Sequence, residues 1–255
     1  MGFVVKIAIF DSGLGSLSII KPIQKKIIAD IIYFADQKNF PYGKKSVLEL
    51  EKIIKSTIEM LDKNFSPNII VIGSNTPSLL LKKTIDNTRI VRVFPPLKDA
   101  KQKTKSKTIA ILATESVIKS NTLQSYIKKN LPKKIKVVKI NSSPLVELVE
   151  SGKFIDNKKL CINIIKKILS KPFIQNHVDV ATLSSTHLPF LLPLLKEIFP
   201  NIIFLDPGNV VADKIAKKLR HQNKTKTLTI FASGNIQVFQ KKLSKIGIRN
   251  KVRSL

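Results

Sequence analysis

Cysteine is almost absent from this sequence, which has one, Cys161, in 255 residues. A single thiol excludes an intramolecular disulfide and any zinc site that is built from several cysteines. In the stretch "KKLCINIIKKIL", Cys161 shares a helical face with Ile164, Ile165 and Ile168. The sequence therefore predicts that Cys161 is a small, buried hydrophobic side chain.

Long apolar runs are also missing. Hydrophobic residues make up 43% of the chain, and none of their runs reaches the length that spans a membrane. The first residues, "MGFVVKIAIFDSG", enter a strand pattern at once and do not show the order of a signal peptide. We therefore expect a soluble, cytoplasmic protein with no membrane partner. A chain of this length can form one large domain or two small ones, either with a substantial core.

Acidic residues are scarce, because 17 Asp and Glu stand against 45 Lys and Arg, which gives a net charge of +28. Such a charge raises the question of nucleic-acid binding. No nucleic-acid-binding motif accompanies it, however, and aromatic residues, which could stack on bases, are only 6%. The basic residues are spread along the chain, mostly as pairs on the polar faces of predicted helices: Lys25–Lys26, Lys82–Lys83, Lys128–Lys129 and Lys217–Lys218. Solvated helix faces are favoured, with weak nonspecific polyanion binding as a consequence.

Short apolar runs alternate with amphipathic stretches. The predicted strands are Lys6–Phe10, Ile31–Phe34, Ile69–Gly73, Ile90–Val93, Thr108–Ala113, Lys136–Ile140, Val178–Leu183, Ile202–Leu205 and Thr227–Ala232. The predicted helices between them include Ser46–Asn64, Thr122–Lys129, Lys158–Leu169 and Val210–Arg220. This alternation predicts an α/β protein with largely parallel sheets.

Two parts of the chain resemble each other across the stretch "FPPLKDAKQKTKSK", the best candidate for an internal boundary. "KIAIFDSG" has a counterpart in "KTIAILATES", and "IIVIGSNTPSLL" has one in "VDVATLSSTHLPFLL". The repetition predicts two similar α/β lobes. Because ligands bind beyond the carboxyl ends of parallel strands, we expect a ligand site in the cleft between the lobes.

Polar residues cluster where four predicted strands or turns end. The clusters are Asp11-Ser12-Gly13, Pro41-Tyr42-Gly43, Ser74-Asn75-Thr76 and Ser184-Ser185-Thr186-His187. The three-glycine spacing of a dinucleotide-binding turn is absent. Taken singly, Asp11 or Ser74 could only cap a helix, and His187 could only fix a loop. Taken together, two matching hydroxyl-rich strand ends favour a ligand site.

Eight segments, in collinear order, resemble glutamate racemase, within the aspartate/glutamate racemase family. They run from about Lys6 to about Ile246: "IAIFDSGLGSLSIIKPI", "IIYFADQKNFPYGKKS", "IIVIGSNTPS", "IAILATESVIKS", "PLVELVESGK", "VATLSSTHLPFLLPLL", "FLDPGNVVADKI" and "LTIFASGNIQVFQ". The resemblance implies two lobes with the active site at their interface. We accordingly predict one lobe from residues 1–96 plus 207–255 and the other from residues 97–206.

The resemblance also implies racemisation without pyridoxal phosphate or a metal, by two cysteines on opposite faces of the α-carbon. In this chain the two positions are Ser74 and Ser185. The groups that would assist them are present: Asp11 for the first, Glu150 and His187 for the second. The positions that would hold the substrate's ammonium and carboxylates are Ser12, Tyr42, Gly43, Asn75, Thr76 and Thr186. Family members often form homodimers, but their mode varies.

Replacing both thiols by hydroxyls changes the expected chemistry. A cysteine with a pKa of about 8.5 is readily brought to a useful thiolate population, whereas a serine needs a strong base. Racemisation also requires a proton-transfer group on both faces. Asp11 or His187 acting directly as the base would give slow chemistry. We therefore expect L-/D-glutamate interconversion that is strongly reduced or absent.

Three alternatives stay open. The first is a noncatalytic protein that binds an amino acid or a dicarboxylate, and the second is a basic nucleic-acid-associated protein. The third, hydrolysis by Ser74 or Ser185, is less favoured because no nucleophile-elbow glycine pattern surrounds either serine. Ser184, Leu188 and Pro77 replace the family's usual glycine, tyrosine and alanine. These further departures favour natural divergence over engineered serines.

Overall fold

The computed structural model describes residues 4–81, 87–219 and 221–255, in which strands and helices alternate. The strands are β1 Lys6–Asp11, β2 Asp30–Ala35, β3 Ile69–Ile72, β4 Ile90–Arg92, β5 Thr108–Ala113, β6 Lys136–Asn141, β7 Val180–Leu183, β8 Ile203–Leu205, β9 Thr227–Ala232 and β10 Val252–Ser254. The helices are α1 Leu17–Lys26, α2 Val47–Phe65, α3 Asn75–Leu80, α4 Leu97–Lys103, α5 Glu115–Ile118, α6 Asn121–Asn130, α7 Ser143–Glu150, α8 Lys153–Asp156, α9 Lys158–Gln175, α10 Leu192–Ile198, α11 Gly208–Ala216 and α12 Ile236–Lys245.

The strands form two sheets, one of six strands in the order β10-β9-β2-β1-β3-β4 and one of four in the order β6-β5-β7-β8. Every pairing in both sheets is parallel. Parallel neighbours need a crossover connection, and the helices supply it. The predicted α/β class with parallel sheets is confirmed. No helix in the described ranges is long and apolar enough to cross a membrane.

The chain divides into two compact units. The first comprises Met1–Val93 and Gly208–Leu255 and holds the six-stranded sheet, whereas the second, Phe94–Pro207, holds the four-stranded sheet. In each unit the central strands are buried on both faces, as in β5, where all six residues are buried. This explains why these strands are near-continuous apolar runs in the sequence.

The core of the second unit contains Cys161, which is fully buried on α9 among Leu148, Leu169 and Leu195. The prediction that Cys161 is a buried hydrophobic side chain is confirmed. Burial also raises the pKa of its thiol above the usual value. The thiol is therefore poorly suited to nucleophilic chemistry.

Three elements differ from their predicted bounds by two residues or more, whereas the other predicted elements agree to within one residue at each end. Helix α9 runs to Gln175 with Pro172 inside it, although Leu169 was its predicted end. Strand β7 begins at Val180 and not at Val178, because the Val178 N–H donates to the Phe173 carbonyl and closes the helix end. Helix α11 begins at Gly208 and ends at Ala216. Its predicted end, Arg220, lies outside the described residues, as does the Lys82–Lys83 pair.

The segments that lead into strands β3 and β7 share a backbone conformation and a pattern of hydrogen bonds. A residue in the left-handed region, Ser66 (φ 47°) or His177 (φ 51°), follows the preceding helix. Two residues later, Asn68 Oδ1 accepts from Lys6 N at 2.8 Å, next to β1. At the matching place in the second unit, Asp179 Oδ2 accepts from the backbone N–H groups of residues 105 and 106, at 2.6 and 2.8 Å. The internal repetition thus extends from sequence to hydrogen bonding.

Candidate functional site

The first group of polar side chains lies at the carboxyl edge of the six-stranded sheet. Asp11 ends β1 and is buried, and its Oδ1 accepts from Ser12 N at 2.7 Å. The Asp11 carbonyl accepts from Asp36 N at 2.7 Å, which joins the ends of β1 and β2. Strand β1 is apolar from Ile7 to Phe10, and the polar residue Asp11 stands at its end. The fold therefore places a carboxylate at the strand end.

Tyr42 lies in a short 3-10 turn, Tyr42–Lys44, and is buried. Its hydroxyl donates to Asp36 Oδ2 at 2.9 Å. Burial raises the pKa of Tyr42 well above its usual value, and the charges of Asp36 and Asp11 raise it further. The phenol is consequently neutral at physiological pH and stays a hydrogen-bond donor.

Ser74 immediately precedes α3 and is half-buried, and its side chain makes no capping hydrogen bond to the helix. It follows Gly73, whose N–H donates to the Phe10 carbonyl at 2.8 Å. A Cβ atom at position 73 would lie 2.3 Å from the Ser16 Cβ and 2.8 Å from the Phe10 carbonyl oxygen. Only glycine fits here, because β1 and the α1 entrance approach this closely. Ser74 is thereby placed just beyond β3, the strand that pairs with the strand of Asp11.

Asn75 and Thr76, the next two residues, are buried at the start of α3. Asn75 Nδ2 donates to the Val93 carbonyl at 3.3 Å, whereas Asn75 Oδ1 has no hydrogen-bond partner among the described residues. A buried acceptor without a partner is costly unless a ligand or water satisfies it. Because α3 packs against the turn that contains Tyr42 and Gly43, the first unit brings these predicted site residues together.

The second group lies at the carboxyl edge of the four-stranded sheet. Ser184, Ser185, Thr186 and His187 follow β7 and are all buried. His187 Nε2 lies 3.1 Å from Oε2 of Glu150, the last residue of α7. The pair joins the strand end to a helix end, and the donor and acceptor in it are set by the tautomer of His187.

Ser184 stands at the position that corresponds to Gly73. Its side chain fits because the Ser184 Oγ lies 2.9 Å from the Thr182 Oγ1, within hydrogen-bond distance. Thr182 Oγ1 in turn donates to the Ala110 carbonyl, at 3.4 Å. The buried hydroxyl of Ser184 is therefore satisfied inside its own unit.

The structure thus forms two groups of the predicted residues, one in each unit. The first contains Asp11, Ser12, Tyr42, Gly43, Ser74, Asn75 and Thr76, and the second contains Glu150, Ser185, Thr186 and His187. Within the described ranges, no three His, Cys, Asp or Glu side chains lie together as a metal site would require. Sequence reasoning missed Asp36, although it follows the apolar run of β2 just as Asp11 ends that of β1.

No family model matches this chain. Individual proteins do match it. A glutamate racemase of Haemophilus ducreyi is 32% identical over 225 residues, which are 84% of this chain and 82% of that protein. A glutamate racemase of Buchnera aphidicola subsp. Schizaphis graminum is 34% identical over 241 residues, 91% of this chain and 92% of that protein. The chain belongs to the glutamate racemase family.

The fold agrees with that of solved glutamate racemases. The Escherichia coli glutamate racemase, crystallised with L-glutamate and the activator UDP-MurNAc-Ala, superposes with a TM-score of 0.83. Its sequence identity is 22%, and the match covers 99% of this chain and 98% of that one. This member of the glutamate racemase family nevertheless has one cysteine, Cys161, and serine at positions 74 and 185.

Proposed function

We propose that this protein binds glutamate and that its racemisation is strongly reduced or absent. The observation that carries the proposal is the pair of serines. Ser74 follows the strand that pairs with the strand of Asp11, and Ser185 lies two residues before His187, which contacts the buried Glu150. These are the two positions at which the family resemblance places the catalytic thiols. The supporting side chains remain, and the two sulfur atoms are replaced by oxygen.

The proposed lobes are residues 1–96 with 207–255 and residues 97–206. Asp11 would act with Ser74 on one face of the α-carbon, and His187 with Glu150 would act with Ser185 on the other. The remaining predicted residues would bind the ammonium and carboxylates: Ser12, Tyr42, Gly43, Asn75, Thr76 and Thr186. The unpartnered Asn75 Oδ1 supports this role, because a substrate ammonium would donate to it.

The chemical reason for low activity is the proton affinity of an alkoxide. Removing the α-proton requires a base whose pKa lies near the working pH, and a serine hydroxyl is far from that range. A carboxylate or imidazole could support one serine, but both faces must be served for racemisation. The proposed reaction needs no pyridoxal phosphate and no metal. We further propose a cytoplasmic protein, with the +28 charge producing weak, nonspecific polyanion binding.

The test is α-proton exchange of L-glutamate in heavy water, followed by proton NMR. We expect no exchange over days with the natural chain, and exchange in the double variant Ser74→Cys, Ser185→Cys. The matched control is Ser56→Cys with Ser125→Cys, because it adds one thiol to an exposed position in each unit. The expected loss of activity would be overturned if the natural chain exchanged the α-proton and if Asp11→Ala or His187→Ala abolished that exchange. Equal exchange in both double variants would overturn the assigned positions.

A noncatalytic binding protein is the second candidate function. The buried, unpartnered Asn75 Oδ1 favours it, because such an acceptor is retained at lower cost when a ligand satisfies it. Calorimetry with L-glutamate and with glutarate would measure this directly. Affinity without exchange supports a binding protein, whereas the absence of affinity for either ligand contradicts both functions. If nucleic acid were the ligand, binding would survive moderate salt; nonspecific binding would be lost by about 200 mM.

A further inference from the structure

Asp36 has more hydrogen bonds than its place in a connecting segment requires. Its side chain is buried, with 3% of its surface exposed. Both carboxylate oxygens accept from Asn39 Nδ2 at 2.9 Å, and Oδ2 also accepts from the Tyr42 hydroxyl at 2.9 Å. Oδ1 accepts from the Ser233 hydroxyl at 3.3 Å. Three donors, from two parts of the chain, converge on one carboxylate.

The donors around Asp36 match a side chain that accepts hydrogen bonds on both oxygens. Within the described ranges, no Lys or Arg forms an ion pair with Asp36, so its hydrogen-bond partners are neutral donors. Burying a charge is costly, and the cost is tolerated only when its hydrogen bonds are made. A carboxylate is acceptor-only on both oxygens, whereas an amide would turn one acceptor into a donor that faces other donors. The position therefore favours Asp over its isostere Asn.

Backbone hydrogen bonds tie the same residue to the strand ends. Asp36 N donates to the Asp11 carbonyl at 2.7 Å, and the Asp36 carbonyl accepts from Asn39 N at 3.1 Å. On the other side, Ser233 N donates to the Ala35 carbonyl at 3.0 Å. Asp36 thus connects the ends of β1, β2 and β9 with the turn that contains Tyr42 and Gly43. Its side chain holds the turn by accepting the hydrogen bond from the Tyr42 hydroxyl.

We propose that Asp36 is a positioning residue, which holds the Tyr42–Gly43 turn in the conformation that binds the amino-acid ligand. This inference rests on the proposed function, since the turn is one of the proposed binding segments. Asp36 acts through the Tyr42 hydroxyl and does not touch the ligand. A turn that is already ordered in the free protein loses less conformational entropy on binding, so its loss weakens affinity.

The test is a double-mutant cycle on the affinity for L-glutamate, with Asp36→Asn, Tyr42→Phe and the double variant measured by calorimetry. We expect each single variant to raise the Kd about ten- to hundredfold. Because both act on one hydrogen bond, the double variant should be within about threefold of the weaker single variant. The matched control is Asp62→Asn, which removes an exposed carboxylate paired with Arg89 in the same unit. It should leave the Kd unchanged.

A spectroscopic signature separates positioning from general destabilisation. The Asp36 charge contributes to the raised pKa of Tyr42, so Asp36→Asn should lower the pH at which the Tyr42 phenol ionises. Ultraviolet titration of the three tyrosines, with Tyr42→Phe as the assignment, would show this, and Asp62→Asn should not. If Asp36→Asn does not fold, Ser233→Ala removes one donor only and should raise the Kd severalfold.

Two outcomes would overturn the positioning role. One is an Asp36→Asn variant, or a Ser233→Ala variant where Asp36→Asn is unfolded, with the natural Kd. The other is an additive double variant, which would mean that Asp36 acts independently of Tyr42. A natural chain that binds no L-glutamate would instead contradict the proposed function itself. The tyrosine titration would still test the contact in that case. If the pH at which Tyr42 ionises were unchanged in Asp36→Asn, the two side chains would not be coupled.

Discussion

A serine follows a strand end in each unit, Ser74 after β3 and Ser185 after β7. The residue before that serine differs between the two units. In the first unit the preceding residue is Gly73, where a Cβ atom would lie 2.3 Å from the Ser16 side chain. In the second unit the preceding residue is Ser184, whose Oγ lies 2.9 Å from Thr182 Oγ1. Replacement of the family's glycine was therefore acceptable only in the second unit. Equivalent positions in a repeated fold are not equally free to change.

The groups that we propose to support each serine differ as well. The first has Asp11, whose carboxylate is fixed by a backbone N–H, whereas the second has a buried His187–Glu150 pair. The segments that lead into β3 and β7 show a similar contrast. In the first unit a neutral amide, Asn68, accepts a hydrogen bond from a backbone N–H, and in the second unit a carboxylate, Asp179, does so. The two halves thus share geometry but differ in charge. Four sets of substitutions would test this comparison, and they are taken in order of expected effect.

Restoring one thiol at a time should separate the two halves. We expect Ser74→Cys alone and Ser185→Cys alone to exchange the α-proton of opposite enantiomers of glutamate, because each position would serve one face of the α-carbon. A positioned base contributes about 10²–10⁴-fold to such a rate. Proton NMR in heavy water, with L- and D-glutamate in parallel, measures it. If both variants acted on the same enantiomer, the assignment of one position to each face would be wrong.

Exchanging the residues before the two serines should be tolerated in one direction only. Gly73→Ser forces a side chain against Ser16 and the Phe10 carbonyl, and we expect a loss of about 3 kcal/mol in the free energy of unfolding. Ser184→Gly removes one hydroxyl contact and should cost about 1 kcal/mol. Urea unfolding of both variants provides the comparison. Similar losses at the two sites would contradict the packing difference.

Asp179 should make the stability of the chain depend on pH. Burial alone would raise its pKa, but hydrogen bonds from Ser106, Thr104 and Lys105 outweigh that effect and lower it. A lowered folded-state pKa means that the stabilisation is complete above the unfolded value, about 3.9, and is lost as the pH falls through the folded value. Asp179→Asn should therefore cost about 1–2 kcal/mol at pH 7 and progressively less below pH 4.

Unfolding in urea at pH 7 and at pH 3 would measure this difference. The mirrored variant is Asn68→Asp, at the neutral position of the first unit. The free energy of unfolding of Asp179→Asn is compared with that of the natural chain at each pH. If their difference were the same at pH 7 and pH 3, the carboxylate would not be the source of the stabilisation.

The smallest effect is expected at the two left-handed residues. His177→Gly and Ser66→Gly should each stabilise the chain by about 0.5 kcal/mol, because relief of the left-handed strain slightly exceeds the entropic cost of glycine. Thermal unfolding would detect the change, with Ser170→Gly inside α9 as the destabilising control. A loss of stability at either turn residue would mean that its side chain makes a contact worth more than the strain.

Strand prediction was most successful for β5 and β9, whose bounds agree with the sequence prediction. In both strands an apolar segment stops at a polar residue, Thr114 after β5 and Ser233 after β9. Strand β10 was missed, since only Val252 of its three residues is buried. The predicted end of α9, Leu169, was wrong, because the helix continues to Gln175 with Pro172 inside it. Edge strands and proline tolerance depend on neighbours that periodicity does not reveal.

The site was foreseeable to the extent that polar residues follow strands. Asp11, Ser74 and His187 stand out because each follows an apolar run, and the same rule would have found Asp36. The partners of these residues were not foreseeable in the same way. The Asp36–Ser233 contact joins residues 197 positions apart, and only the sheet order places β9 beside β2. Family resemblance, not periodicity, supplied the roles of the serines.

The fully buried Cys161 makes it possible to measure local opening of the second unit by thiol labelling. A thiol reagent cannot reach this sulfur while α9 is packed, so labelling occurs only through molecules in which that core is exposed. The rate of modification, measured under native conditions by mass spectrometry, therefore gives the free energy of opening for this part of the chain alone. No label needs to be engineered, since the first unit contributes no cysteine to the signal.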